Sequence, residues 1–181
     1  MRRFVHVKRA ALAAFSIAAL FLTCSPVASA ADAQTLTGTY VVWLELQPGV
    51  RLPSLQLYSS DGTFTCSDTS MFGGLPGATT RNTPCQGVWE RTGPSTFAIT
   101  GLTLFFDAGS SLLIGFGRAR GTASFTDKNA NQFSGTVTLE LLPCLSPFAC
   151  PDPQASDAQW LPYPGVPSNL AVTGTRLSLI K

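Results

Sequence analysis

Two arginines on one predicted strand are the residues best suited to bind a charged group. Arg118 and Arg120 share one face of that strand with Ile114 and Phe116. If this face points into a folded core, an apolar ligand that carries a carboxylate would fit, because each guanidinium is a planar fork for two oxygens. The alternate positions are small: Gly115, Gly117, Ala119 and Gly121. If those positions face inward instead, both arginines lie on the solvated side.

The chain contains a single histidine, His6, within a segment that predicts an export signal. A basic start precedes an apolar run from Ala10 to Leu22, and Ala28-Ser29-Ala30 is typical of a signal-peptidase site. We therefore expect residues 1–30 to be cleaved and residues 31–181 to form one domain, secreted or periplasmic. Cleavage removes His6, so the mature protein has no imidazole for a catalytic triad, a zinc site or a proton relay.

The charge balance argues against nucleic acid and anionic membranes as partners. Twelve Lys and Arg residues stand against ten Asp and Glu, but four of the bases lie in residues 1–30. The remaining eight bases and ten acids give the mature segment a net charge of −2. Both partners require clustered positive charge, which this segment lacks. The apolar run is also shorter than the ~20 residues that span a bilayer, so we expect no transmembrane segment.

Four cysteines remain after Cys24 leaves with the signal, and an even number in an exported chain predicts disulfide bonds. Three pairings are possible. Proximity in the sequence favours Cys66–Cys85 and Cys144–Cys150. A four-thiolate zinc site is the alternative, but the spacings lack the closely paired cysteines that such sites use.

Carboxylates are the remaining candidates for catalysis or metal binding. Glu45, Glu90 and Glu140 could form an acid–base pair, yet their strand patterns predict solvated positions on a sheet. The segment 127–131 has oxygen side chains at alternate positions, as in a calcium loop. Gln132 and Thr138 replace the glycine and glutamate that such a loop needs, which favours a hairpin turn. We predict no catalytic residue, no metal ligand and no cofactor.

Apolar side chains in long loops are candidates for a binding mouth. Met71, Phe72 and Trp160 could fold back as a plug or contact a partner, and we group them with Phe116 and the two arginines as candidate ligand-binding residues. Trp43 and Trp89 lie in strand patterns, so we expect them in the core.

Strand patterns recur at short intervals with turn residues between them, and helix patterns are almost absent, which predicts an all-β fold. We predict eight strands, at residues 36–46, 53–60, 62–68, 85–91, 95–107, 111–126, 132–142 and 169–180. The clearest alternation places one apolar face on the seventh strand: Phe133, Gly135, Val137, Leu139 and Leu141.

Consecutive hairpins make a meander, and eight meandering strands avoid exposed edges by closing into an up-and-down barrel. A two-sheet β-sandwich is the alternative. Two connections are too long for tight turns, residues 69–84 and 143–168, and the second contains seven prolines. Loops of this length in a compact domain are often functional.

Short motifs at the strand ends carry a resemblance to known barrels. Gly38-Thr39-Tyr40 opens the first strand and Gly174-Thr175-Arg176 lies on the last, which resembles the calycin pattern of Gly-x-Trp packed by an arginine, with Tyr40 in place of Trp. Together with Asp61-Gly62-Thr63-Phe64 and the 87–93 segment, residues 36–180 resemble an uncharacterised group of exported bacterial lipocalin-like barrels. The resemblance implies a barrel outside the cytoplasm and supplies no catalytic residues.

Three functions are consistent with these patterns. The first is a noncatalytic exported barrel that binds a small, mostly apolar ligand, including one that bears a carboxylate. The second is a cyclase or isomerase similar to allene-oxide-cyclase or dirigent-like barrels, in which shape and a few polar groups direct a reactive substrate. The third is a structural or surface-interaction module with a solid core. A cavity separates the third from the others, and a phenol or ionisable group inside it favours the enzyme.

Overall fold

The computed structural model describes residues 34–72 and 79–178 and consists almost entirely of β-strands. The predicted export signal, with His6 and Cys24, lies outside the described residues. The described strands are β1 (Gly38–Gln47), β2 (Val50–Tyr58), β3 (Thr63–Asp68), β4 (Thr80–Asn82), β5 (Cys85–Arg91), β6 (Thr96–Asp107), β7 (Leu113–Phe125), β8 (Gln132–Pro143), β9 (Leu161–Pro162) and β10 (Leu170–Arg176). A 3-10 helix, Thr69–Phe72, follows β3.

Eight antiparallel strands close into a barrel. Neighbours pair in the order β1-β2-β3-β5-β6-β7-β8, and β10 pairs with both β8 and β1 to complete the circuit. These eight strands are the predicted ones, and the barrel rather than the sandwich is confirmed. Closure pairs each of these eight described strands on both sides, which removes the exposed edges of an open sheet.

The two short strands outside the circuit, β4 and β9, were not predicted, because three or two residues give no readable alternation. Asn82 pairs with Phe105 and Gln86 with Leu102, so four steps along β4–β5 oppose three along β6, as in a bulge. A longer insertion lies between β9 and β10, which both pair with β8. Residues 162–170 of this segment oppose only residues 140–137 of β8. The extra chain, residues 163–169, leaves the wall at one end of the barrel.

The strands that precede the long connections, β3 and β8, end there, and the opposite end is closed by aromatic side chains. The closing cluster consists of Tyr40, Tyr58, Phe64, Phe97 and Phe133, all buried. Their rings meet at centroid distances of 5.3–5.8 Å, many of them edge to face or tilted, which favours a well-packed core. Leu36, from the chain before β1, is buried against the same cluster.

Tyr40 links the first strand to the last strand and to the β7–β8 turn at this closed end. Its hydroxyl donates to the carbonyl of Ala130 at 2.8 Å and accepts from Nη2 and Nε of Arg176 at 2.7 and 3.1 Å. The guanidinium carbon lies 5.3 Å from the centre of the Tyr40 ring. Burial raises the pKa of Tyr40, and Arg176 opposes that shift. This tyrosine–arginine contact is the arrangement that the calycin resemblance implies for the barrel end.

Of the two tryptophans predicted to lie in the core, one packs against it and the other does not. Trp89 is partly buried against the aromatic cluster, and its Nε1 donates to the carbonyl of Ser59 at 2.9 Å. The core position predicted for Trp43 is wrong, because 40% of its surface is exposed. Tyr40, Val42 and Leu44 fill the interior from β1, so alternation places Trp43 on the outer face.

Both predicted disulfides are present, Cys66–Cys85 and Cys144–Cys150. The first links β3 to β5 at directly opposed positions, and the second closes a turn just after β8. Such bonds persist in oxidising compartments outside the cytoplasm. In the part of the chain that the structure describes, no helix has the length and apolar character needed to cross a bilayer.

Candidate functional site

The interior of the barrel contains a cavity of about 170 Å³. Apolar side chains make up most of its wall, among them Val42, Leu44, Leu52, Ile99, Val137 and Leu139. The aromatic cluster forms its floor. At the other end the lining residues are partly exposed to solvent, including Leu46, Asp68 and Tyr163. We call this end the mouth. β3 and β8 end here, and the described residues 69–72, 79–84 and 144–160 belong to the connections that follow them.

One strand supplies a column of polar side chains to this apolar wall. Ser54, Gln56 and Tyr58 alternate along β2, point inward and are buried. The Tyr58 hydroxyl donates to Oε1 of Gln56, and Nε2 of Gln56 donates to Oγ of Ser54 at 3.5 Å. Burial, with a smaller contribution from Tyr40, raises the pKa of Tyr58 far above its ordinary value, so the phenol stays protonated.

Sequence reasoning missed Ser54 and Gln56 because the hydrophobic pattern of β2 indicates the opposite orientation. Leu55 and Leu57 are the apolar residues of this stretch, yet they face outward with 53% and 49% of their surfaces exposed. Leu52 and Tyr58 lie at alternate positions on the same face as Ser54, and these two residues could have indicated that this face points inward. Register with Tyr40 and Val42 on β1 sets the inward face of β2, and this depends on pairing between strands.

A second polar group lies at the mouth. The carboxylate of Asp68 accepts hydrogen bonds from the backbone N–H of Ser70, at 2.9 Å, and from its hydroxyl. Oγ of Ser70 is also 2.7 Å from Oδ1 of Asn82, which ties the 3-10 helix to β4. All three residues line the cavity. This group therefore places a negative charge where a ligand would enter.

The structure places the two arginines on the outer face of β7. A Cβ built on Gly117 would lie 2.3 Å from the Phe105 ring, a lining residue, so Gly117 points inward and Arg118 points away. Nε of Arg118 donates to Oε2 of Glu140 at 2.7 Å, and Arg120 binds the same carboxylate through Nε and Nη2 at 2.9 and 2.8 Å. Arg118 still borders the cavity, but its guanidinium is paired outside it.

Glu140 is not the solvated carboxylate that its strand pattern predicts. Its side chain is only 13% exposed, because the two arginines cover it. Burial by itself would raise the pKa of Glu140, but hydrogen bonds and positive charge from Arg118 and Arg120 outweigh burial and lower the pKa below its ordinary 4.5. Trp160 covers the cluster further, with the guanidinium carbon of Arg118 4.0 Å from its ring centre. Glu45 and Glu90 lie on other strands, β1 and β5.

The remaining candidate ligand-binding residues are not gathered in the cavity. Trp160 lies on Arg118 outside the wall, Phe116 shares the outer face of β7, and Met71 is half-buried in the 3-10 helix. The side chain of Phe72 lies outside the described residues. A role for these residues in ligand binding stays a prediction. Asp127 forms the predicted hairpin turn, since its carboxylate accepts the backbone N–H groups of Asn131 and Gln132 at 2.8 Å.

The site is therefore a small, mostly apolar chamber with one uncharged polar column on its wall and an acidic group at its mouth. Within residues 34–72 and 79–178, no cluster of His, Cys, Asp and Glu side chains has the arrangement needed to hold a metal ion. Comparisons with protein-family models, curated proteins and solved structures found no match. We therefore infer the function from the interior of the barrel.

Proposed function

We propose that this protein is an exported, noncatalytic barrel that binds a small, mostly apolar ligand in its interior. The observation that carries the proposal is the cavity of about 170 Å³ above the aromatic floor. An apolar cavity of about 150 Å³ in a protein core is large enough to bind benzene. A ligand of roughly one substituted ring or a short chain therefore fits, and burying its apolar surface stabilises the complex.

We propose an uncharged ligand. A ligand with a carboxylate would suit the cavity only if the two arginines pointed inward. Arg118 and Arg120 already share Glu140, so a ligand carboxylate would have to compete with that ion pair. Asp68 at the mouth would also repel an anion. Two disulfides support export, because such bonds persist outside the reducing cytoplasm.

A cyclase or isomerase is the second candidate, and one observation favours it. Tyr58 places a phenol in the cavity, and burial keeps that phenol protonated. The phenol donates its one proton to Oε1 of Gln56, so a substrate oxygen would have to replace that acceptor. A fixed hydrogen-bond donor can then stabilise negative charge that develops on the substrate oxygen. The cavity weighs against the third candidate, a solid-core interaction module.

Native mass spectrometry on the protein purified from an exported fraction tests the binding proposal. We expect a native mass that exceeds the denatured mass by the mass of one small ligand. Ala119 lines the cavity, so Ala119→Phe should fill the chamber and abolish the excess mass. Ala171 is exposed on β10, and Ala171→Phe makes the same change outside the chamber. If Ala119→Phe retains the ligand, the ligand binds outside the chamber. If the wild type carries no bound mass and also fails to bind small apolar probes, the solid-core module is favoured.

A further inference from the structure

The polar column on β2 has more hydrogen-bond donors than it can use. The hydroxyl of Ser54, the amide of Gln56 and the phenol of Tyr58 carry four polar hydrogens in total. Two hydrogen bonds connect the three side chains, and these use two of the hydrogens. The other two meet no acceptor among the residues that the structure describes. This count holds for either orientation of the Gln56 amide, because each internal bond consumes one hydrogen whichever group donates it.

The groups that carry the unused donors line the cavity. All three side chains line it, Ser54 and Gln56 are at least nine-tenths buried, and the surrounding wall is apolar. A buried donor without a partner costs about 1–3 kcal/mol, so a molecule that supplies an acceptor at this point gains more than one that does not. Among the described residues that line the cavity, the only arginine is Arg118, and Glu140 holds its guanidinium on the outer face.

We propose that the column formed by Ser54, Gln56 and Tyr58 selects neutral ligands that carry a hydrogen-bond acceptor, such as a ketone, aldehyde or ester carbonyl, and binds that oxygen through Gln56. This inference rests on the proposed function, because it assigns the chemical class of the ligand that occupies the same cavity. The rest of the ligand is apolar and about the size of one ring.

Three probes of nearly the same shape test the class. Acetophenone carries a carbonyl, α-methylstyrene has a methylene in place of that oxygen, and benzoate has a charged carboxylate. Titration of the exported protein, followed by NMR of the Gln56 side-chain amide and by calorimetry, gives an affinity for each. We expect acetophenone to bind about three- to tenfold more tightly than α-methylstyrene, the difference expected for one net hydrogen bond. Benzoate should bind most weakly.

Gln56→Met removes the amide and keeps the length of the side chain. The variant should bind the two neutral probes equally, mainly through a loss of affinity for acetophenone. Gln86→Met is the matched control, because Gln86 lies exposed on β5, and its preference should equal that of the wild type. Binding of α-methylstyrene to Gln56→Met also shows that this variant is folded.

The outcomes separate this inference from the proposed function. Equal binding of acetophenone and α-methylstyrene by the wild type, or an undiminished preference in Gln56→Met, overturns the assignment of the column while interior binding stands. Tightest binding of benzoate overturns the neutral class. Failure of every probe to bind or to shift the Gln56 amide contradicts interior binding itself, and the inference with it.

Discussion

Removal of one hydroxyl at the closed end should destabilise the barrel measurably. Tyr40→Phe keeps the ring and its contacts with Tyr58 and Phe133, so the substitution isolates the hydroxyl. Tyr40 is fully buried, and its hydroxyl connects Arg176 near the end of the last strand to Ala130 in the β7–β8 turn. The substitution therefore removes the hydrogen bonds that tie β1 to the last strand and to the β7–β8 turn.

The expected loss follows from the groups left without partners. The carbonyl of Ala130, in a buried residue, loses the donor at 2.8 Å, which costs about 1–3 kcal/mol. Arg176 keeps one bond, from Nη2 to the carbonyl of Thr35 at 3.0 Å, and is partly exposed, so water replaces part of what it loses. We expect the free energy of unfolding to fall by about 2–3 kcal/mol, which corresponds to a decrease in Tm of about 5–10 °C for a domain of this size.

Chemical denaturation with both disulfides intact measures this change. Tyr163→Phe is the matched control, because Tyr163 is only partly buried and its hydroxyl makes no hydrogen bond within the described residues. The control should change stability by less than about 0.5 kcal/mol. If Tyr40→Phe is as stable as Tyr163→Phe, the hydrogen bonds from Tyr40 to Ala130 and Arg176 do not stabilise the closed end.

Three further predictions concern the wall and the outer face. Replacing Cys66 and Cys85 together by Ala should lower the free energy of unfolding by about 3 kcal/mol, because their bond joins residues 19 positions apart; an unchanged denaturation midpoint would contradict this. The lowered pKa of Glu140 contributes stability above about pH 4.5 that is lost as pH falls, so Glu140→Gln should flatten the acid side of a stability–pH curve, and an unaltered slope would argue against the ion pair. Trp160→Ala should lower stability by about 1 kcal/mol through loss of its stacking on a guanidinium, whereas exposed Trp43→Ala should have a smaller effect in the same unfolding assay.

The amino-acid sequence by itself predicts the architecture of this protein. Turn residues recur between alternating segments, and these local signals require no knowledge of distant contacts. Of the three possible disulfide pairings, proximity along the chain favours the one that the structure contains, since Cys66 and Cys85 flank one connection and Cys144 and Cys150 flank one short turn.

Only the tertiary structure decides which face of each strand lines the interior. On β2, the polar Ser54 and Gln56 point inward and Leu55 points outward, because pairing with β1 sets the register of the whole strand. On β7, Gly117 faces inward, where an added Cβ would lie 2.3 Å from the Phe105 ring, and alternation places Arg118 on the outer face. A period of two fixes which residues share a face, but closure of the barrel determines whether that face meets the cavity or the solvent.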